Sequence, residues 1–311
     1  MITRTDAFRS APAAAAARSA VIFATRRRRL ADFLILTKPR VVLMVVATAF
    51  VGYYVGAPAD GDALRLVHTL VGTALAAAGT LALNQFLERD VDARMHRTRH
   101  RPLPDGRLQP AEALVFGALT TVSGILYLAL AVGWAAALVT AVTSVLYLFA
   151  YTPLKRVTPL CMVLGAIPGA LPPVTGWVAA RGELGVGAGV LFAILFLWQL
   201  PHTLAIARLY RDDYARAGIR VLPVVDPHGA STERQIVLGC LALQAVGLLP
   251  TLVGLAGPVY FFGAMTLGAA FVACGMAQAV APSTVAARRL VLASVVYLPV
   301  LFALMALDKA G

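Results

Sequence analysis

Charge is what this chain has least of. Asp, Glu, Lys and Arg make up 14% of its 311 residues, whereas a soluble domain carries about 25%. A large soluble α/β protein needs polar faces on its elements, and most segments here have none. Acid is scarcer than base, 15 residues against 27. Cysteine is nearly absent. Cys161, Cys240 and Cys274 stand in apolar stretches at no disulfide or metal spacing, so they are read as small core residues. No apolar segment with a small-residue cleavage site stands out near the start, so no cleaved signal peptide is expected. Apolar sequence is what abounds, with 59% hydrophobic residues and a mean hydropathy of +0.79. The chain reads as an integral membrane protein.

A bilayer core of ~30 Å needs roughly 20 apolar residues per helix. Nine stretches qualify: 39–57, 66–86, 112–132, 134–151, 159–179, 186–207, 235–254, 257–278 and 287–307. The expected fold is an all-α polytopic membrane protein. Nine transmembrane helices bundle around an apolar pocket, and two polar cytoplasmic loops cap it. Residues 39–307 form that domain, residues 1–38 a basic, disordered cytoplasmic arm, and residues 308–311 a tail. The arm is Arg-rich, with "RRRR" at 26–29. It fits either a segment lying on an anionic leaflet or a mitochondrial transit peptide.

The net charge of +12 raises the question of nucleic acid, but the placement of the charges answers it. With the N-terminus in the cytoplasm, 24 of the 27 Lys and Arg fall on that side, and only Arg65, Arg181 and Lys309 on the other. Such asymmetry sets orientation, so no nucleic-acid partner is expected. An odd number of helices puts the C-terminus outside. Two cytoplasmic connections are long and polar, roughly 87–111 and 208–234, and they lie four helices apart, which hints at an internal repeat.

The first of these begins "NQFLERDVDARMHRTRHRPLPDGR", Asn84 to Arg107, with ten charged side chains. Asn84, Glu88 and Asp92 stand at i, i+4 and i+8, so on a helix they share one stripe. Asp90 lies on another face. Two carboxylates and an amide oxygen suit a hard cation such as Mg²⁺, which often completes its shell with phosphate oxygens. The arginines that follow, Arg94, Arg97, Arg99 and Arg101, suit a polyanion and also serve topology. Together they suggest a diphosphate held at the mouth of an apolar bundle. Asn84 and Glu88 begin while the apolar run continues, and ionisable groups at that depth point to function.

This stretch resembles the first signature of the UbiA-type intramembrane prenyltransferases, N-x-x-x-D-x-x-x-D. It is most similar to their haem O synthase (protohaem IX farnesyltransferase) branch in "NQFLERDVDARMHRTRHR". Glu88 stands where the general pattern has Asp, a longer arm on the same carboxylate. A second segment, "LWQLPHTLAIARLYRDDYARAGIRVLPVV" from Leu197 to Val225, is similar to the same branch in its W-Q-x-P-H and G-I-x-V-L-P-V-V elements. The D-x-x-x-D of the wider superfamily is missing there, and a Pro-His stands near the earlier acidic position. "YTPLKR" (Tyr151 to Arg156) and "TKPRVV" at the first helix are similar to family stretches too.

The resemblance covers about 30–307 and implies a reaction. Farnesyl diphosphate and haem b are the substrates, haem O and diphosphate the products, and Mg²⁺ the cofactor. Asn84, Glu88 and Asp92 carry the metal and diphosphate. Asp212 and Asp213 assist, with Asp213 a further metal ligand. Lys38, Arg40, Arg94, Arg97, Arg101, Lys155, Arg156, His202 and Arg208 contact substrate. The implied partners are the lipid bilayer and haem A synthase or terminal-oxidase assembly proteins. The implied location is a bacterial inner membrane, or alternatively the mitochondrial inner membrane. A prenyltransferase with an aromatic acceptor, or a transporter without chemistry, are the competing readings. The Gly/Pro-rich "GAIPGALPPVTGW", Gly165 to Trp177, reads as an interrupted helix lining the pocket.

Overall fold

The computed structural model describes residues 28–58 and 61–310, and within them the protein is all-helical, with one isolated bridge between Ala256 and Lys309. A short helix, α1 (28–36), precedes α2 (Pro39–Gly56), α3 (Ala63–Asp92) and α4 (Pro110–Ala131). Then come α5 (Trp134–Leu154), α6 (Cys161–Arg181) and α7 (Val186–Leu209). Two short pieces, α8 (Arg211–Arg216) and α9 (Leu222–Val225), follow. The chain ends in α10 (Ala230–Leu252), α11 (Pro258–Val280) and α12 (Thr284–Leu307). Among the described residues nine helices, α2–α7 and α10–α12, are long and apolar enough to cross a membrane.

Their outward faces are apolar as well as their core. Leu130, Val280 and Leu307 are 89%, 79% and 86% exposed, which only a hydrocarbon surround makes favourable. Inside, Trp177, Leu191, Ile194, Tyr260 and Tyr297 belong to one large buried cluster. The close helix pairs rest on glycine, since lipid gives no hydrophobic drive to pack and small residues let backbones approach. A Cβ at Gly176 of α6 would meet Ala49 O of α2 at 1.9 Å, and one at Gly52 would meet Pro173 O at 1.9 Å. Gly79 and Gly124 place α3 against α4 in the same way.

Four features go beyond or against the sequence expectation. First, α3 does not stop at 86, where its apolar run ends, but continues to Asp92. Second, residues 28–36 of the arm expected to be disordered form α1. Leu36 of this helix packs with Leu103, Leu108 and Ala113, and Asp32 pairs with Arg107 Nε at 2.9 Å. Residues 1–27 of that arm lie outside the described residues. Third, α5 widens into π-helical turns over Leu146–Tyr151. Fourth, the tail is docked: Asp308 O accepts from Gly257 N–H at 2.8 Å, and its Oδ2 from Tyr260 N–H at 2.7 Å.

The three cations that break the charge asymmetry have local work. Lys309 Nζ donates to Tyr54 O and Ala57 O at 2.8 and 2.6 Å, and Arg181 Nε to Gly56 O at 2.8 Å. Arg65 Nη2 donates to Val132 O at 2.8 Å. All three satisfy carbonyls left open at the ends of α2 and α4.

Candidate active site

A cavity of about 1060 Å³ runs into the bundle between α2, α3, α5, α6 and α7. Its α3 wall is one continuous stripe: Thr73, Ala77, Thr80, Asn84, Glu88 and Asp92 all line it. The extra six residues of α3 matter here, because they keep Glu88 and Asp92 in helical register with Asn84. The interrupted helix also lies on the wall as expected, through Gly165, Pro168, Gly169, Pro172 and Thr175.

Each of the three oxygen-bearing groups on the stripe faces a cation from another segment. Lys38 Nζ donates to Asn84 Oδ1 at 3.0 Å. Lys155 Nζ donates to Glu88 Oε1 at 2.9 Å. Arg101 Nη1 donates to Asp92 Oδ2 at 2.5 Å. Asp92 and Asn84 are each only 1% exposed, so neither carboxylate nor amide could remain unpaired at low cost. Asn84 Nδ2 donates in turn to Thr152 Oγ1 at 3.1 Å, and Lys155 sits over the Tyr151 ring at 4.2 Å. Arg97 and Arg40 line the mouth, exposed, and Arg97 packs on the Tyr210 ring at 5.3 Å.

Two of the cations are electrically unlike. Enclosure in the cavity, and next the Arg101 guanidinium, push the Lys38 ammonium down to about 7, against the pull of Glu88. Burial works against the charge on Lys155 also, but Tyr151 and Glu88 outweigh it and hold that ammonium well above its ordinary value. Lys38 further stands in the left-handed region, at φ 49° and ψ 65°, alone in this among the described non-glycine residues. That conformation, at the junction of α1 and α2, turns its side chain into the cavity.

The remaining residues singled out from the sequence are not brought to the cavity. Arg94, Arg156 and Asp212 are absent from its lining. Asp213 is buried elsewhere: it pairs with Arg216 and accepts from His96 N–H at 3.4 Å. It therefore ties the two long polar connections to each other. Arg208 Nη2 pairs with Glu233 at 3.2 Å and joins α7 to α10. His202 Nδ1 meets Ser294 Oγ at 2.6 Å and its ring stacks on Trp198 at 4.7 Å. It supports the cavity indirectly, since Trp198 itself is on the wall. The α7 wall carries Gln199 and Thr203 and no acid. Sequence reading misses Tyr147, Gln199, Thr203, Tyr214 and the hydroxyls below Asn84, although the four-residue spacing from Thr80 to Asn84 is a signal that could find one of them.

The groups able to hold a metal are Asn84, Glu88 and Asp92, all hard oxygen donors. Among the described residues no three His, Cys, Asp or Glu side chains gather as a metal-binding group. The protein thus offers two carboxylates and an amide, a partial set that fits Mg²⁺, which fills its remaining positions with water or phosphate oxygen. Cations stand beside this set and an apolar chamber lies beneath it. The arrangement can hold a diphosphate by its head and a hydrocarbon by its tail.

The sequence profile of the UbiA prenyltransferase family matches residues 45–306. A protoheme IX farnesyltransferase of Solibacter usitatus is 47% identical over 289 residues, covering 90% of this chain and 99% of that one. Another, of Koribacter versatilis, is 46% identical and covers 90% of this chain and 94% of that one. Among solved structures, a digeranylgeranylglyceryl phosphate synthase superposes with a TM-score of 0.76 at 16% identity, over 90% of this chain and 98% of its own. A UbiA homologue of Archaeoglobus fulgidus bound to GPP and Mg²⁺ does so with 0.62 at 15% identity, over 88% and 99%. These two likenesses are likenesses of fold.

Proposed function

The chain belongs to the UbiA prenyltransferase family, and on that premise we propose that it transfers the farnesyl group of farnesyl diphosphate to a vinyl group of protohaem IX. One water adds to complete the hydroxyethylfarnesyl side chain, and the products are haem O and diphosphate. The observation that carries this is the stripe of Asn84, Glu88 and Asp92 with three cations already in contact, set over an apolar cavity. The high identity to protoheme IX farnesyltransferases over most of both chains supports haem as the acceptor.

Asn84, Glu88 and Asp92 would hold Mg²⁺, whose chemistry there is to neutralise the charge that grows on a departing diphosphate. The chain's own cations do the rest. Lys38, Lys155 and Arg101 lie within hydrogen-bond reach of the acid stripe and grip the phosphate oxygens, with Arg97 and Arg40 at the rim. Such preorganised charge is the usual large contribution to lowering a barrier of this kind. The α7 wall bears Gln199 and Thr203 in place of acids, so neutralising diphosphate falls chiefly on lysine and arginine. The allylic carbon becomes cation-like as its bond to diphosphate lengthens. The apolar chamber keeps bulk water from it, and the vinyl group attacks. Tyr147 and Tyr151, re-aimed into the cavity by the π-helical turns, offer ring faces to that cation.

The charge asymmetry supports a cytoplasmic position for the acid stripe and both polar caps, with the N-terminus on that side and the C-terminus in the periplasm of a bacterial inner membrane. The test uses purified protein with haem b and labelled farnesyl diphosphate, and separates the pigments by chromatography. Haem O is expected with Mg²⁺ present, and none from Asp92→Asn. Wild-type turnover by Asp92→Asn would remove the acid stripe from the reaction. A prenylated aromatic formed in preference to haem O would replace the acceptor.

A further inference from the structure

Below the acid stripe, buried hydroxyls gather where α3, α5 and α6 meet on the cavity wall. Thr73 and Thr80 of α3, Thr140 and Ser144 of α5 and Thr175 of α6 all line it, and none is more than 6% exposed. Thr80 Oγ1 lies 2.8 Å from Ser144 Oγ. It is also 2.7 Å from Ala76 O, and Ser144 Oγ is 3.1 Å from Thr140 O. Thr140 and Thr175 meet at 3.4 Å.

A hydroxyl has one hydrogen and two lone pairs. The two hydrogens of Thr80 and Ser144 are both directed at protein oxygens, whichever of the three contacts they choose. What the pair offers to the cavity is therefore lone pairs, and the natural occupant is a donor. Two turns further along the stripe the Thr73 hydroxyl, 3% exposed, has no partner at all. The stripe thus carries one buried hydroxyl that the protein leaves unpaired.

We propose that Thr80 and Ser144 hold the water molecule that completes the reaction, an inference that rests on the farnesyl transfer proposed above. Thr80 lies one helical turn from Asn84, about 6 Å along α3, so the pair sits just beneath the diphosphate. Farnesyl C1 loses its bond to diphosphate and gains one to the terminal vinyl carbon. The positive charge moves to the inner vinyl carbon, beside the macrocycle. The water's hydrogens point at Thr80 and Ser144, which leaves its lone pair facing that carbon. The oxygen bonds to carbon, and the released diphosphate takes the proton. Haem b, farnesyl diphosphate and water become haem O and diphosphate with no external oxidant or reductant. Without a placed water the same cation closes by losing a proton from the neighbouring carbon, again to diphosphate. The product is then an alkene, lighter than haem O by one water.

Product partition tests this, since a packing role cannot alter it. Thr80→Val, Ser144→Ala and the double variant are incubated with haem b and farnesyl diphosphate, and the farnesylated haems are weighed by mass spectrometry. The ratio of alkene to hydroxylated product is expected to rise about tenfold or more in the double variant, and to return towards wild type in Thr80→Ser, which keeps the oxygen. An unchanged ratio in all three variants, at whatever total turnover, overturns the proposal and leaves the hydroxyls as contacts between helices. If any of them forms no product, the ratio in the others decides. Wild-type protein that farnesylates no haem would instead sink the parent reading.

Discussion

Lys38 carries one cost and one use, and substitution separates them. Its left-handed backbone, φ 49° and ψ 65°, is worth roughly 1–2 kcal/mol of strain for a residue with a Cβ. Glycine escapes that strain but loses about 0.5–1 kcal/mol more chain entropy on folding. Alanine keeps the strain, has no more stem than glycine to pack, and drops the charge. Both changes leave Asn84 Oδ1 without the donor it now has at 3.0 Å, so that loss cancels in the comparison. Lys38→Gly is expected to be more stable than Lys38→Ala by about 1 kcal/mol. Both lose a charged hydrogen bond to diphosphate, worth about 1.5–3 kcal/mol, or about 10- to 100-fold in affinity. Thermal unfolding in detergent gives the first quantity, and calorimetry with a non-hydrolysable farnesyl diphosphate analogue gives the second. A Gly variant less stable than the Ala variant would refute the strain. Wild-type affinity in both would refute the grip.

Three further outcomes follow from the same geometry. With the Lys38 ammonium pushed down to about 7 by burial and Arg101, much of it is neutral at a pH of about 8, and an arriving anion favours its charged form. Binding of the analogue at that pH is therefore expected to take up a proton and to weaken as pH rises through 7. Calorimetry in buffers of different ionisation heat measures the uptake, and Lys38→Met showing the same uptake would assign it elsewhere. Gly176→Ala drives a Cβ into Ala49 O and Tyr53 N, backbone atoms that cannot yield. It is expected to cost about 3 kcal/mol or more and to appear as aggregated protein on size exclusion, whereas Gly189→Ala, with open space around it, is silent. Asp213→Asn loosens the contact between the two polar connections and is expected to speed proteolysis of both about tenfold. Asp212→Asn, away from that contact, leaves cleavage and turnover alone, and loss of turnover in Asp212→Asn with Asp213→Asn unaffected would reverse these roles.

Hydrophobic runs and a spacing of four make the nine helices and the Asn84–Glu88–Asp92 stripe legible in the sequence, because both are local properties of the chain. The end of α3 is not legible there. Its last six residues are mostly charged, and they stay helical because Lys155 and Arg101 reach them from beyond the helix. Pairings such as Lys38 with Asn84 depend on how α2 lies on α3, and no spacing in the sequence encodes that. Asp212 and Asp213 show the opposite failure. Two adjacent acids invite a shared ligand, yet neighbours on a helix point about 100° apart, and the fold turns one away and makes the other a clamp. His202, near acids in the sequence, faces Ser294 of α12, a helix its own surroundings do not mention.

The pairing of acids with cations along the stripe has a thermodynamic consequence for loading. Asp92 is buried and Glu88 nearly so, with side-chain exposures of 2% and 14%, and each now depends on one cation. A diphosphate arriving alone must draw Lys155 and Arg101 away and leave two carboxylates uncompensated in a medium of low polarity. A divalent metal arriving alone must bind beside those same cations, against their repulsion. Arriving together, the metal takes the acids and the phosphate takes the cations, and no charge is left alone. Metal and diphosphate are therefore expected to bind with positive coupling of about 1–3 kcal/mol, or roughly 5- to 150-fold in each other's affinity. Titrating the farnesyl diphosphate analogue with and without Mg²⁺, and Mg²⁺ with and without the analogue, gives both sides of the cycle, which must agree. In Asp92→Asn the acid and its share of the conflict are gone. The analogue is then expected to bind better than to wild type when Mg²⁺ is absent, and to gain less when Mg²⁺ is added. Equal affinities with and without metal in the wild type would show that the cations grip phosphate without releasing the acids.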